Sequence, residues 1–169
     1  TQIVSSTFTR EDALWSYILY FLPKIRFQLP VLSLSKTECL ALQAPALRAL
    51  LPKLHINRNT ARSIIFGPEE LGGLALPNIY TEQGIIKLQL FLGHLRLQDK
   101  TGKLIQIDMS FIQLLTGLTS LFLNEQYTKF QKWIEPGWIT SIWEFSNYSQ
   151  LTYLMPKHWT PSPTREHDR

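Results

Sequence analysis

A chain of 169 residues with 44% hydrophobic and 18% charged residues is long enough to hide ~70% of the surface its unfolded form would expose, so a packed core is expected. Its one cysteine, Cys39, excludes an internally disulfide-stapled scaffold, and the sequence reads as intracellular, nuclear or cytoplasmic. No apolar run reaches ~18 residues and the first residues lack the basic-then-apolar order of a secretion signal, so no membrane partner is expected. The net charge of +4 is unevenly spread: residues 1–66 carry eight basic and three acidic residues, whereas residues 67–169 carry nine and ten. A polyanion would meet the first part.

In chain order, Thr9-Arg10-Glu11-Asp12 has the spacing of a capping box, and Leu14, Trp15, Ile18, Phe21 and Leu22 follow at helical intervals. A helix is predicted from about Arg10 to Leu22. Pro23 and Pro30 bracket a segment expected to be extended or irregular, which holds Lys24 and Arg26. Ser35 and Glu38 repeat the capping pattern ahead of a helix that Pro45 should kink or split and Pro52 should end. Lys53, His55, Arg58 and Arg62 then make the densest basic segment, with Asn57, Asn59 and Thr60 as turn or cap residues.

From Gly67 to Gly84 the chain carries four glycines and two prolines, a connector between a basic and a near-neutral part. Leu71, Leu74, Leu76 and Ile79 should pin it into a buried elbow whose turn is made by Gly72 and Gly73. The longest helix is expected from Asn78 to Leu97, then a surface turn over residues 99–103 and a second helix stopping at Gly117. An aromatic cluster around Glu135-Pro136-Gly137 follows, with Pro136 in the first turn of a short helix. Gln150 to Met155 alternates as an edge strand would, and residues 156–169 read as a disordered tail. The fold class is mainly α, with domain limits at 1–66, 67–84, 85–155 and 156–169.

Catalytic groups are scarce. The four histidines stand apart without ligand-spaced partners, which points away from a zinc site. Glu69 and Glu70 in Gly-Pro-Glu-Glu-Leu-Gly-Gly would repel a phosphate, and as neighbours they diverge too far for an acid/base pair. His94 in an apolar helix reads as structural and Cys39 as buried. Trp133, Trp138 and Trp143 could stack on unpaired bases, but their spacing does not align them on one helix face, so core packing is the expectation.

Residues 17–95 resemble the thumb and following connection of reverse transcriptases of non-LTR, long-interspersed-element type, retrotransposons. The likeness rests on Tyr17-Ile18-Leu19-Tyr20-Phe21-Leu22-Pro23-Lys24, Phe27-Gln28-Leu29-Pro30, the helix after Ser35, Asn57 to Arg62, and Gly72-Gly73-Leu74-Ala75-Leu76-Pro77-Asn78-Ile79-Tyr80. The resemblance implies a helical thumb-like bundle that grips the template–product duplex, RNA–DNA or RNA, during target-primed synthesis, beside a palm and fingers of the same polypeptide. It also implies an RNA-directed DNA polymerase as parent, with magnesium held only in that palm, because no Asp-Asp pair occurs in this chain to hold two metal ions. Lys24, Arg26, Lys53, Arg58 and Arg62 are then the expected phosphate contacts, with Asn57 and Asn59 at sugar or groove. Gly72, Gly73, Pro77 and Tyr80 form the elbow that aims them. The alternative is a helical protein-interaction module with no nucleic-acid role.

Overall fold

The computed structural model describes residues 7–156, which are mainly helical with no strand among them. They divide into two compact units, one ending at Gln83 and the other starting at Gly84. The Gly/Pro stretch up to Gln83 therefore belongs to the first unit. The expected tail from residue 157 onward, with His158 and His167, lies outside the described residues.

In the first unit, α1 (Arg10–Ser16) opens on the reciprocal cap that its spacing predicts. The Asp12 amide donates to Thr9 Oγ1 at 3.2 Å and the Thr9 amide donates to Asp12 Oδ2 at 3.1 Å. The segment expected to break after Leu22 does not. A π turn over Tyr17–Phe21 leads directly into α2 (Leu22–Arg26). Proline at position 23 lacks an amide and would crowd the carbonyl four residues back; the wider turn, closed by Leu22 N–H to Tyr17 O, relieves that crowding and keeps the helix running. Ala13, Tyr17 and Leu22 are thereby all buried on one side.

Helix α3 (Lys36–Lys53) starts on a second capping box at Ser35 and Glu38, and it runs unsplit through Pro45 and Pro52. Both prolines and the residues four places before them, Ala41 and Arg48, are exposed, so each carbonyl that loses its amide partner belongs to a residue on the solvent side of the helix. The buried face carries Cys39, Gln43, Leu47, Leu50 and Leu51. Its Leu47, Leu50 and Leu51 share one core with Ala13, Tyr17 and Leu22, with Leu54 just past the helix end, with Ile65 of α4 (Arg62–Phe66) and with Leu76.

Helix α5 (Ile79–Leu97) is the longest, and its stretch beyond Gly84 belongs to the second unit. Residues 99–103, expected as a surface turn, instead begin α6 (Lys100–Thr116): Asp99 caps it by accepting the Gly102 amide at 2.7 Å. Gly117, in the left-handed region at φ 64°, ends it as its position suggested. Short 3-10 turns at Phe122–Asn124 and Tyr127–Lys129 lead to α7 (Trp138–Tyr148), which starts after Gly137, so Pro136 precedes the helix and is no part of it. Trp143 is fully buried at the centre of this unit, with Phe122 and Tyr127 edge-on and Phe130 stacked against it, and its Nε1 donates to Glu125 O at 2.7 Å. Phe145 occupies the space where a Cβ on Gly84 would stand.

Gln150–Met155 is not a strand. α7 ends in a Schellman turn, Leu151 N–H to Ser146 O at 2.9 Å, with Gln150 in the left-handed region at φ 54°. The chain beyond lies against one side chain: Asn124 Oδ1 accepts the Tyr153 amide at 2.7 Å and Asn124 Nδ2 donates to the Tyr153 carbonyl at 3.0 Å. A single amide thus replaces the neighbouring strand that the alternation suggested.

Candidate nucleic-acid interface

The basic segment starts where α3 stops. Leu51 O accepts the Ile56 amide at 2.9 Å and Pro52 O accepts the His55 amide at 3.1 Å, with His55 in the left-handed region at φ 60°. This is a Schellman end in which histidine stands where glycine is usual. His55 therefore has a geometric role. Asn57 next folds a turn on itself, accepting the Asn59 amide on Oδ1 at 2.8 Å and the Thr60 amide on its carbonyl at 3.0 Å. Its side-chain oxygen is committed to the turn, which leaves Asn59 the better placed of the two for an external contact. Asn57, Arg58 and Asn59 are exposed in this turn, Arg62 is exposed at the first position of α4, and Lys53 is half-buried.

Leu54 and Ile65 anchor the two ends of the segment in the first unit's core, with half-buried Ile56 packed against it. Arg58, Asn59 and Arg62 thus lie on one short excursion of the chain between two core anchors, with Lys53 at the end of α3 just before it. Arg58 and Arg62 form no ion pair among the described residues. Lys24 is exposed on α2. Arg26 differs from the rest, because its guanidinium is bonded to Glu82 Oε2 at 2.8 Å, so its charge is already met.

The elbow is tied to this segment through α4. Leu74 and Leu76 donate their amides to the carbonyls of Ile64 and Ile65 at 2.9 and 3.0 Å, and Ala75 donates to Gly67 O at 2.8 Å. Gly72 takes φ 79°, while Gly73 lies so close to the Gly67 and Pro68 carbonyls that a Cβ would overlap both. Leu76 and Ile79 are buried as expected; Leu71 is not, being 85% exposed at the end of the 3-10 turn Glu69–Leu71. Tyr80 is buried with its amide on Asn78 Oδ1 at 2.9 Å.

Pro77 is held by a residue the sequence reading passed over. Gln43, fully buried on α3, donates Nε2 to Pro77 O at 2.6 Å and to Tyr17 Oη at 2.5 Å, and its Oε1 accepts the Ile79 amide at 3.4 Å. The Tyr17 hydroxyl also donates to Pro77 O at 3.3 Å. Burial of that phenol pushes its pKa up to about 12. The signal was present: Gln43 lies four residues from both Cys39 and Leu47, a polar residue in the middle of an apolar row.

The remaining candidates have structural surroundings. Cys39 is buried, and His94 Nδ1 meets Asp99 Oδ2 at 2.7 Å. The Asp99 carboxyl is held below its ordinary range first by the Gly102 amide and then by His94. Glu69 and Glu70 are exposed. Trp143 and half-buried Trp138 belong to the core as expected, but Trp133 is 70% exposed. Among the described residues no group of three or more histidine, cysteine or acidic side chains is placed to hold a metal ion, and no helix is long and apolar enough to cross a membrane. No family model, curated protein or solved structure matches the chain.

Proposed function

We propose that the first unit grips the sugar–phosphate backbone of an RNA–DNA or RNA duplex without reading bases, as the thumb-like resemblance of residues 17–95 implies. The observation that supports this most is that exposed Arg58 and Arg62, in no ion pair among the described residues, stand on a turn and the helix start after it, between two core anchors. Phosphate recognition needs cations held in place along a surface, because binding is driven by displacing counterions. Lys24 and Lys53 would extend the contact. Polymerisation would fall to a palm carrying the carboxylates that this chain lacks. With about four phosphate contacts, the logarithm of duplex affinity should fall against the logarithm of salt with a slope of roughly −4.

Titrating a labelled RNA–DNA duplex across salt concentrations tests this reading. Changing Arg58 and Arg62 together to Ala should weaken binding and reduce the slope by about two. Unaltered affinity and slope would remove the patch from the proposal. A second reading, a protein-interaction module, is favoured by Trp15, Tyr20, Phe27 and Val31, which are 55%, 68%, 87% and 82% exposed in the same unit. Binding to a protein partner that added polyanion leaves unchanged would favour it.

A further inference from the structure

The second unit carries a groove of about 440 Å³ between α6 and the segment that enters α7. The core side chains Ile112 and Ile134 make part of its lining, and Phe111 and Trp133, 57% and 70% exposed, stand over it. Trp133 is steadied by Phe130, whose ring meets it edge-on with centroids 6.5 Å apart. The volume falls in the range of ordinary ligand and side-chain pockets.

Its charge says what would fill it. The ionisable groups that line the groove are Asp108 and Glu135, with no lysine, arginine or histidine beside them, and neither acid is in an ion pair among the described residues. Partial burial already raises the Asp108 pKa, with desolvation the cause. A purely hydrocarbon occupant would desolvate Asp108 further without compensation, and the two carboxylates would repel a nucleic acid. An arginine satisfies every part of the lining. Its planar guanidinium could stack on an aromatic ring such as Trp133 or Phe111 and donate to a lining carboxylate, while its stem lies along the apolar neighbours.

We propose that this groove is a docking site for an arginine-bearing apolar segment of a partner protein. It is independent of the duplex-binding reading, since it uses other residues and the opposite charge. The probe is a capped, labelled Leu-Arg-Leu-Leu-Arg-Leu peptide titrated with the full chain by fluorescence anisotropy, beside the same peptide with glutamine for arginine. The arginine peptide should bind saturably and the glutamine peptide at least ~10-fold more weakly, a difference of about 1.4 kcal/mol. Asp108→Asn with Glu135→Gln should weaken the arginine peptide about tenfold, and Phe111→Ala with Trp133→Ala should abolish binding. All four side chains are exposed, so these variants should keep the parent's circular dichroism. Equal binding of both peptides, indifference to the carboxylate changes, or no saturation by ~1 mM would overturn the proposal. So would displacement of the peptide by RNA, or a dimer of the chain that Trp133→Ala dissociates.

Discussion

Gly72 and Gly73 are adjacent, yet a methyl group should act differently on each. Gly72 needs its left-handed backbone but faces open space, so Gly72→Ala should cost about 1 kcal/mol, the conformational penalty alone. Gly73 presses on backbone, where nothing can rotate away: an alanine Cβ would overlap the carbonyls of Gly67 and Pro68. Making room would separate two pairs now bonded, Gly73 N–H to Pro68 O at 2.9 Å and Ala75 N–H to Gly67 O at 2.8 Å. Overpacking of about 1–3 kcal/mol with two lost hydrogen bonds at about 1 kcal/mol each gives a total of about 3–5 kcal/mol. Cys39, 1% exposed in the first unit and the chain's one thiol, reports the opening of that unit alone. Its labelling rate in the native state should rise about fivefold in Gly72→Ala and at least thirtyfold more in Gly73→Ala, at about 1.4 kcal/mol per decade. Equal rates in the two variants would refute the close approach and reduce the elbow to a loop.

Three further outcomes follow from the buried polar groups and the helix ends. Gln113, 2% exposed, accepts the Phe122 amide at 3.1 Å and donates to the carbonyls of Leu118 and Ser120, so Gln113→Leu should lower stability by about 2–4 kcal/mol in urea unfolding read from tryptophan fluorescence in a Trp15→Phe background; a loss below ~1 kcal/mol would contradict it. The Tyr17 phenol, raised from 10.0 to about 12 by burial, keeps its proton in the folded state after the unfolded chain has lost it. Its contribution is fully present below pH 10 and is lost as pH rises through about 12, about 3 kcal/mol in all, so the urea midpoint should fall less steeply over that window in Tyr17→Phe than in the parent. His55→Gly relieves a left-handed side chain and should stabilise by about 1 kcal/mol in thermal unfolding while leaving duplex affinity unchanged; a destabilised variant would mean that the imidazole makes a contact of its own.

Those residues also mark where sequence reasoning worked and where it stopped. The two capping boxes, the long helix after Asn78 and the stop at Gly117 were legible because each depends on neighbours within a turn or on simple periodicity. The survival of α3 through Pro45 was not, because tolerance depends on Ala41 facing water, a property of the packed unit. The false strand at Gln150–Met155 has a related origin. Alternation recorded which side chains face inward, but the partner of the Tyr153 backbone is the Asn124 side chain, twenty-nine positions away. Gln43, Gln83 and Gln113 act in the same way on Pro77, Leu34 and Phe122. As helix residues they look interchangeable with any polar residue, and only burial reveals that they complete irregular backbone. Of the candidate interface, the clustering of Lys53, Arg58 and Arg62 was visible as charge density, whereas the pairing of Arg26 with Glu82 needed the fold.

The π turn at Tyr17–Phe21 has a consequence for chain length. Ala13 and Tyr17 are four residues apart and Tyr17 and Leu22 five, yet all three enter one core, so the helix holds one residue more than regular α spacing requires. Deleting Leu19, 57% exposed within that turn, would make the spacing four and four and keep Ala13, Tyr17 and Leu22 in register, while bringing back the crowding at Pro23 that the wide turn relieves. The same deletion between Gln43 and Leu47 of α3 would swing one of them about 100° away from the core. A one-residue deletion would thus preserve the core register at one turn of this helical face and break it in its partner.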